Sequence, residues 1–539
     1  ALGRAHMSAR IAIETGICFQ PLAGDAQCLG ISAYIKCKID LLRSTPENPA
    51  GTAKAEARRQ QAWKVAQKLK MRRILYSMAA VAAHRFPGIP SQELDALRRL
   101  QYDAINLFRR LDNSSLQRAG VIHGTGATEK DAKLARENIE SSLATLAVRH
   151  PRYAALMRGN APSLKSVREL LAENEFYLTL LVTRRAVHKF LIGKGVFDAD
   201  SASEDNAEIR NAAESVLKGR TAGNYRIDKN ANQLWKQLFS SFAKTLGNAG
   251  LLIVEPDGFL TMFPFEVLVP GEFPQSRKEQ LGLPMLVDLT QLERSTSAFR
   301  FTAKRRKAGA VPTDSMAVLA HPDLPKVTGA SKGREGSDAL LSIWKAPLAK
   351  FSSSYAFKDP ALSARLAVIF GDRGTFIRGD GASVFAFTEK ALGKYPLVHV
   401  ACPALLPDVP AGTLGQPFMV FSGGKHDPTS GFCAIPDILS EPRPTELLTL
   451  TWPAHPDSSQ GRGLVLLLEA LALSGTKSVL LPLWHDRSGK DDESMLLDKL
   501  YSQLKEGKPL PTAMKEALSY LKTHSKTKNP LRLFRFVVY

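Results

Sequence analysis

The sequence predicts a mixed α/β protein with a mostly parallel sheet, preceded by an all-helical segment. Strand-length apolar runs recur at Leu251–Val254, Met316–Leu319, Leu397–Val400, Leu447–Leu450 and Ser478–Leu481. They are apolar throughout rather than alternating, as strands covered by helices on both faces must be. Helical patterns fall between them, and strand–helix–strand alternation argues for a doubly wound, mostly parallel order. The first 150 residues carry helical patterns and no strand signal.

Taken in order, Glu56–Ala83 reads as one long helix with apolar positions at Trp63, Ala66, Leu69, Ile74 and Met78. Pro87-Gly88-Ile89-Pro90 breaks it, and Ser91 with Glu93 starts a second helix through Leu111. A polar stretch from Asn113 to Lys130 precedes a third, running to Val148. No clean 34-residue repeat is present, so an irregular helical domain over 1–160 is expected, followed by the α/β domain over 161–539. Within the latter, an earlier half of about 165–300 and a later half of about 310–539 are expected. Leu464–Leu473 reads as a buried helix that Gly475 ends. Asp491, Asp492 and Glu493 sit in the first turn of the next helix, where its dipole favours acids.

At 539 residues and 44% hydrophobic, the chain can bury two ordinary cores. Its longest apolar runs are far too short to span a bilayer. Cys18, Cys28, Cys37, Cys402 and Cys433 show neither metal spacing nor an even framework, which suits free thiols in a reducing compartment. The 72 Lys and Arg against 52 acidic residues give a net charge of +20. That balance favours polyanionic surroundings such as RNA or anionic lipid, or a compartment whose proteins run basic. Arg58 with Arg59, and Lys68, Lys70, Arg72 and Arg73, form two dense clusters on the first helix, the expected docking face. The charge, the cysteine usage and the short basic stretch Ala1–His6 before Met7 favour mitochondria over cytosol; Ala1–Met7 reads equally as a processed terminus or a tag remnant.

Five ordered motifs resemble the CHAT family, whose domain is related to caspases and separase and usually follows TPR helices. His150–Met157 with Pro162-Ser163-Leu164 is similar to its start, and Leu251–Gly258 with Phe263-Pro264-Phe265-Glu266-Val267-Leu268 to its most distinctive stretch. Val318–Leu324, Gly461-Arg462-Gly463-Leu464, and Ala472–Val479 with Leu481-Pro482-Leu483-Trp484 continue the pattern. The resemblance implies a caspase-like doubly wound fold over roughly 150–539.

It also implies where a peptidase would keep its dyad. One family run reads like His-Phe-Ala-Thr-His-Gly, the second His being the general base; another reads like Leu-Ser-Ala-Cys and ends in the nucleophile. Matched residue by residue, His399–Ala404 puts Pro403 at the base and Ala404 at the glycine after it. Leu450–Pro453 puts Pro453 at the nucleophile, and Arg462 replaces a common acidic residue. Proline has neither thiol nor imidazole, so the expectation is a pseudopeptidase without catalytic residues, metal or cofactor. Its expected role is as a scaffold or accessory subunit that binds protein partners through the N-terminal helices. Two alternatives stay open: a relocated dyad of Cys402 or Cys433 with His399 or His455, and a groove that grips a peptide without cutting it. Ser422–His426 and His123–Gly126 lack full phosphate-loop spacing, and His426, His455 and His485 lack metal-ligand spacing.

Overall fold

The computed structural model describes residues 162–539 apart from 184–185, 203–205, 220–228, 274–282, 307–313, 321–359, 407–416, 424–427, 452–460, 484–489 and 526–532. Ahead of these it describes 129–150, 154 and scattered positions between 57 and 103. Two large sheets organise it. The first is a meander of β1 (Glu175–Val182), β2 (Val187–Ile192) and β3 (Phe197–Ala202), joined by β4 (Leu251–Glu255) and β5 (Gln291–Arg294). Its order is β3-β2-β1-β4-β5, with β1, β4 and β5 parallel. All six residues of β2 are buried, Lys189 included, because its ammonium lies 2.8 Å from the Asp200 carboxylate of β3. On that edge strand, Asp198 and Asp200 accept from the backbone N–H groups of Ala199 and Ser201 at 2.8 and 2.7 Å. Donors that could recruit a foreign strand are thereby occupied.

The second sheet contains β6 (Met316–Ala320), β7 (Gly374–Arg378) and β8 (Leu397–Ala401). A small antiparallel sheet follows, made of β9 (Ala404–Leu405), β10 (Phe418–Val420) and β11 (Phe432–Ala434). The large sheet is then completed by β12 (Thr445–Leu450), β13 (Thr476–Pro482) and β14 (Phe536–Val538). Its order is β14-β13-β12-β8-β6-β7, parallel except for β14. Four of the five expected strands lie here, and Leu251–Glu255 lies in the first sheet. The fold is a mixed α/β architecture whose larger sheet is mostly parallel.

Helix Arg462–Ser474 carries Leu464, Leu467, Leu468, Ala470 and Leu471 into the core. It ends at Gly475, whose φ of 117° is left-handed backbone that favours glycine. Helices Lys490–Lys505 and Leu510–His524 pack together. The segment after β5, with Ser297 and helix Ala298–Arg306, meets helix Arg462–Ser474 through buried polar contacts. Arg300 Nη1 donates to Leu468 O at 2.8 Å, and Ser297 Oγ to Glu469 Oε1 at 2.9 Å. The Phe263–Leu268 stretch supplies core side chains from Phe263, Phe265, Val267 and Leu268. Its Glu266 pairs with Arg294 at 3.0 Å, both buried.

The helix of the first segment, described at positions between 57 and 74, packs on the first sheet. Trp63 is 1% exposed and stands edge-on to Tyr177 and Phe190, with ring centroids 6.4 and 6.3 Å apart. Burying such a side chain contributes about 2 kcal/mol or more. Helix and sheet therefore share one core, although the helix lies on the far side of the expected boundary at 160. This packing overturns the reading of Lys70 as part of a basic docking face. Lys70 is 4% exposed, faces the sheet, and its ammonium lies 3.0 Å from the Glu255 carboxylate. A clustered run of basic residues on a helix includes inward positions, and helical spacing put Lys70 on the Trp63 side. Lys68 is half-buried, and the side chains of Arg58, Arg59, Arg72 and Arg73 lie outside the described residues.

Candidate functional site

β8 and β12 are adjacent and parallel, with Leu397 opposite Leu447 and Val400 opposite Leu450. Residues leaving their carboxyl ends are therefore neighbours, as a base and a nucleophile would need to be. Thr451 N donates to Val400 O at 3.1 Å and extends the pairing one residue past β12. Pro453 and His455 lie outside the described residues.

His399 is on β8 and 1% exposed. Its Nδ1 is 3.1 Å from Tyr501 Oη and its Nε2 3.2 Å from Thr451 Oγ1, so both ring nitrogens are engaged by hydroxyls. Burial lowers its pKa to about 4, which leaves a neutral ring at pH 7. It sits within the core rather than at the strand end.

Cys402 follows β8 and is 1% exposed, while Cys433 on β11 is fully buried. Burial pushes both thiols well up; Asp437 adds to this at Cys433, and the Val420 N–H partly offsets it at Cys402. A thiol held protonated is a poor nucleophile. Neither cysteine makes a described hydrogen bond to His399, whose nitrogens are taken up elsewhere.

Pro403 is buried between β8 and β9, and its carbonyl accepts from Val420 N at 2.8 Å. A proline suits the residue just before a strand, where its missing N–H costs little. Ala404 is fully buried and pairs with Met419 of β10. The chain at the expected base position is thus engaged by the small sheet. Beyond β12, Gly461 opens helix Arg462–Ser474 at φ +65°, and a Cβ there would come within 2.7 Å of Thr261 Cβ. The glycine lets the helix start close against the Phe259–Phe263 turn. The Arg462 side chain lies outside the described residues.

Two further features escaped the sequence reading. An open cleft of about 450 Å³ lies between β2, β3 and two helices, lined by Lys189, Asp200, Ser201, Glu208, Lys236 and Gln237. No strand-end residue of β8 or β12 lines it. The other is a buried acid, Glu469, whose pKa burial raises and whose carboxylate takes hydrogen bonds from Thr296 and Ser297. Among the described residues, no three His, Cys, Asp or Glu side chains gather as metal ligands. Among them, too, no helix is long and apolar enough to cross a membrane.

The model of the CHAT domain matches residues 228–532, more than half of the chain. This chain belongs to the CHAT-domain family. The match begins between β3 and β4 and ends short of β14, so this CHAT domain includes β4, β5 and five of the six strands of the second sheet. Among solved structures the chain is similar to separase from Saccharomyces cerevisiae, in its complex with securin, at 9% identity and a TM-score of 0.33. That similarity covers 98% of this chain and 42% of the separase chain, so the present chain spans less than half of its length. None of the curated proteins matches this chain in sequence.

Proposed function

We propose that this CHAT domain is a catalytically silent member of a peptidase-related family, acting as a scaffold or accessory subunit of a larger assembly. The observation that carries this reading is the chain at the end of β8. The base position holds Pro403, committed through its carbonyl to Val420, and the nucleophile position three residues past β12 holds Pro453. Neither residue can shuttle a proton or attack a carbonyl. The rival is a relocated dyad of Cys402 or Cys433 with His399 or His455. The burial of both thiols and the engagement of both His399 nitrogens weigh against it.

A thiol-reactive peptide probe with a basic P1 residue separates the two readings. No stoichiometric, peptide-dependent labelling of Cys402 or Cys433 is expected; such labelling at either cysteine would overturn the silent reading.

The partners in this reading are proteins bound through the N-terminal segment, with RNA or anionic lipid against the basic surface, and mitochondria as the compartment. Charge reversal at Arg58, Arg59, Lys68, Arg72 and Arg73 tests the docking face, with Lys70 left intact because it lies in the core. Partners should be lost from the purified complex. Unchanged co-purification would remove the helical face from the reading. Partners that survive about 0.5 M salt, where the Debye length is roughly 4 Å, with no nucleic acid present would remove RNA.

A further inference from the structure

The first sheet reverses direction at β1. Hairpins add β2 and β3 on one side, and β4 and β5 are added on the other. The Lys70 ammonium lies at the carboxyl ends of the adjacent parallel strands β1 and β4. Its Nζ lies 2.9 Å from Leu180 O on β1, 3.1 Å from Glu255 O at the end of β4, and 3.0 Å from Pro256 O. The Glu255 carboxylate Oε1 is a fourth oxygen, also at 3.0 Å.

These four oxygens form a cage. Three carbonyls match the three protons of an ammonium, and the carboxylate supplies the opposing charge. The carboxylate is fixed, since its other oxygen accepts from Tyr177 Oη, Thr179 Oγ1 and Gln67 Nε2 at 2.9, 2.7 and 2.8 Å. Asp257 accepts from Val182 N at 2.8 Å and ties the turn after β4 to the end of β1. A planar guanidinium spreads five donors in a wide fork and does not fit a cage built around one point, whereas a compact ammonium does. The cage belongs to the sheet, because its carbonyls and carboxylate come from β1 and from β4 with the turn after it. The ammonium comes from a helix more than a hundred residues away in the chain.

We propose that the carboxyl ends of β1 and β4 form a primary-ammonium binding site, filled in cis by Lys70, and that this site seats the N-terminal helix on the first sheet. Its ligand class is an unhindered alkylammonium, meaning a lysine side chain or a small amine of the same shape. The site stands apart from the question of catalysis at β8 and β12.

Chemical rescue in the full-length chain tests this. Lys70→Ala keeps Cβ and leaves room for n-propylammonium. The variant should melt below the wild type. At roughly ten times its dissociation constant, n-propylammonium should raise the variant's Tm by a few degrees while leaving the wild type nearly unmoved. Propanol, tetramethylammonium and guanidinium at equal ionic strength should not. Equal shifts in variant and wild type, or rescue by guanidinium, would overturn the proposal, as would wild-type stability in Lys70→Met. If Lys70→Ala does not fold, the wild-type chain still decides: acetylation mapped by mass spectrometry should modify exposed Lys64 readily and spare Lys70 until the chain unfolds. Equal rates at the two lysines would sink it.

Discussion

His399 Nε2 lies 3.2 Å from Thr451 Oγ1, and this contact joins β8 to the carboxyl end of β12 inside the core. In this chain His399 braces two parallel strands next to the expected base position.

Its burial has a pH signature. The folded-state pKa is about 4 against an ordinary 6.5, so the unfolded chain binds the proton more readily. Stability from the neutral ring is therefore fully present above pH 6.5 and is lost as pH falls toward 4, by about 3 kcal/mol. Urea unfolding across this window should show His399→Gln with a flatter acid slope than the wild type. Identical slopes would mean that the ring is not held neutral.

The Glu266–Arg294 pair, buried at 3.0 Å, should behave asymmetrically. Glu266→Leu alone strands a guanidinium that stacks on Phe265, and it should cost about 3–5 kcal/mol in chemical denaturation. Glu266→Leu with Arg294→Met should recover most of that loss. A double variant as unstable as the single one would show that packing, rather than the unpaired charge, sets the cost.

Cys402 and Cys433 should resist iodoacetamide in the native chain and react on unfolding, because burial excludes the reagent and raises both pKa values. Peptide mapping at rising urea would locate the onset. Rapid native modification at either position would contradict the burial.

Gly461→Ala forces a side chain into left-handed backbone and brings its Cβ within 2.7 Å of Thr261. A loss of about 2–3 kcal/mol is expected, the sum of backbone strain and overpacking. Adding Thr261→Gly should relieve the steric part, read as a favourable coupling in a double-mutant cycle.

Much of the second sheet was legible in the sequence. Met316–Leu319, Leu397–Val400, Leu447–Leu450 and Ser478–Leu481 are runs of β-branched and aliphatic residues, and strands buried on both faces must read that way. The helix ending at Gly475 was equally plain, since its left-handed terminus needs a glycine. Glu175–Val182 and Val187–Ile192 passed unread as strands, although Phe176–Val182 carries a usable run of β-formers. β2 hides Lys189 within an apolar stretch, and only its partner Asp200 on β3 makes that burial tolerable. β14 and β9 are too short to announce themselves.

What the sequence determined alone was local: the apolar periods, the glycine that ends a helix, and the identity of the residues at the two motif positions. Which strands are neighbours, and which charges go inside, came from tertiary structure. Lys70 and Lys64 are the same residue type six positions apart on one helix, yet one is buried and the other exposed. The difference is a cage of four oxygens drawn from β1, β4 and the turn after it, segments 110 to 186 residues away along the chain. A sequence specifies the ammonium, but only folding brings together the carbonyls that replace its water.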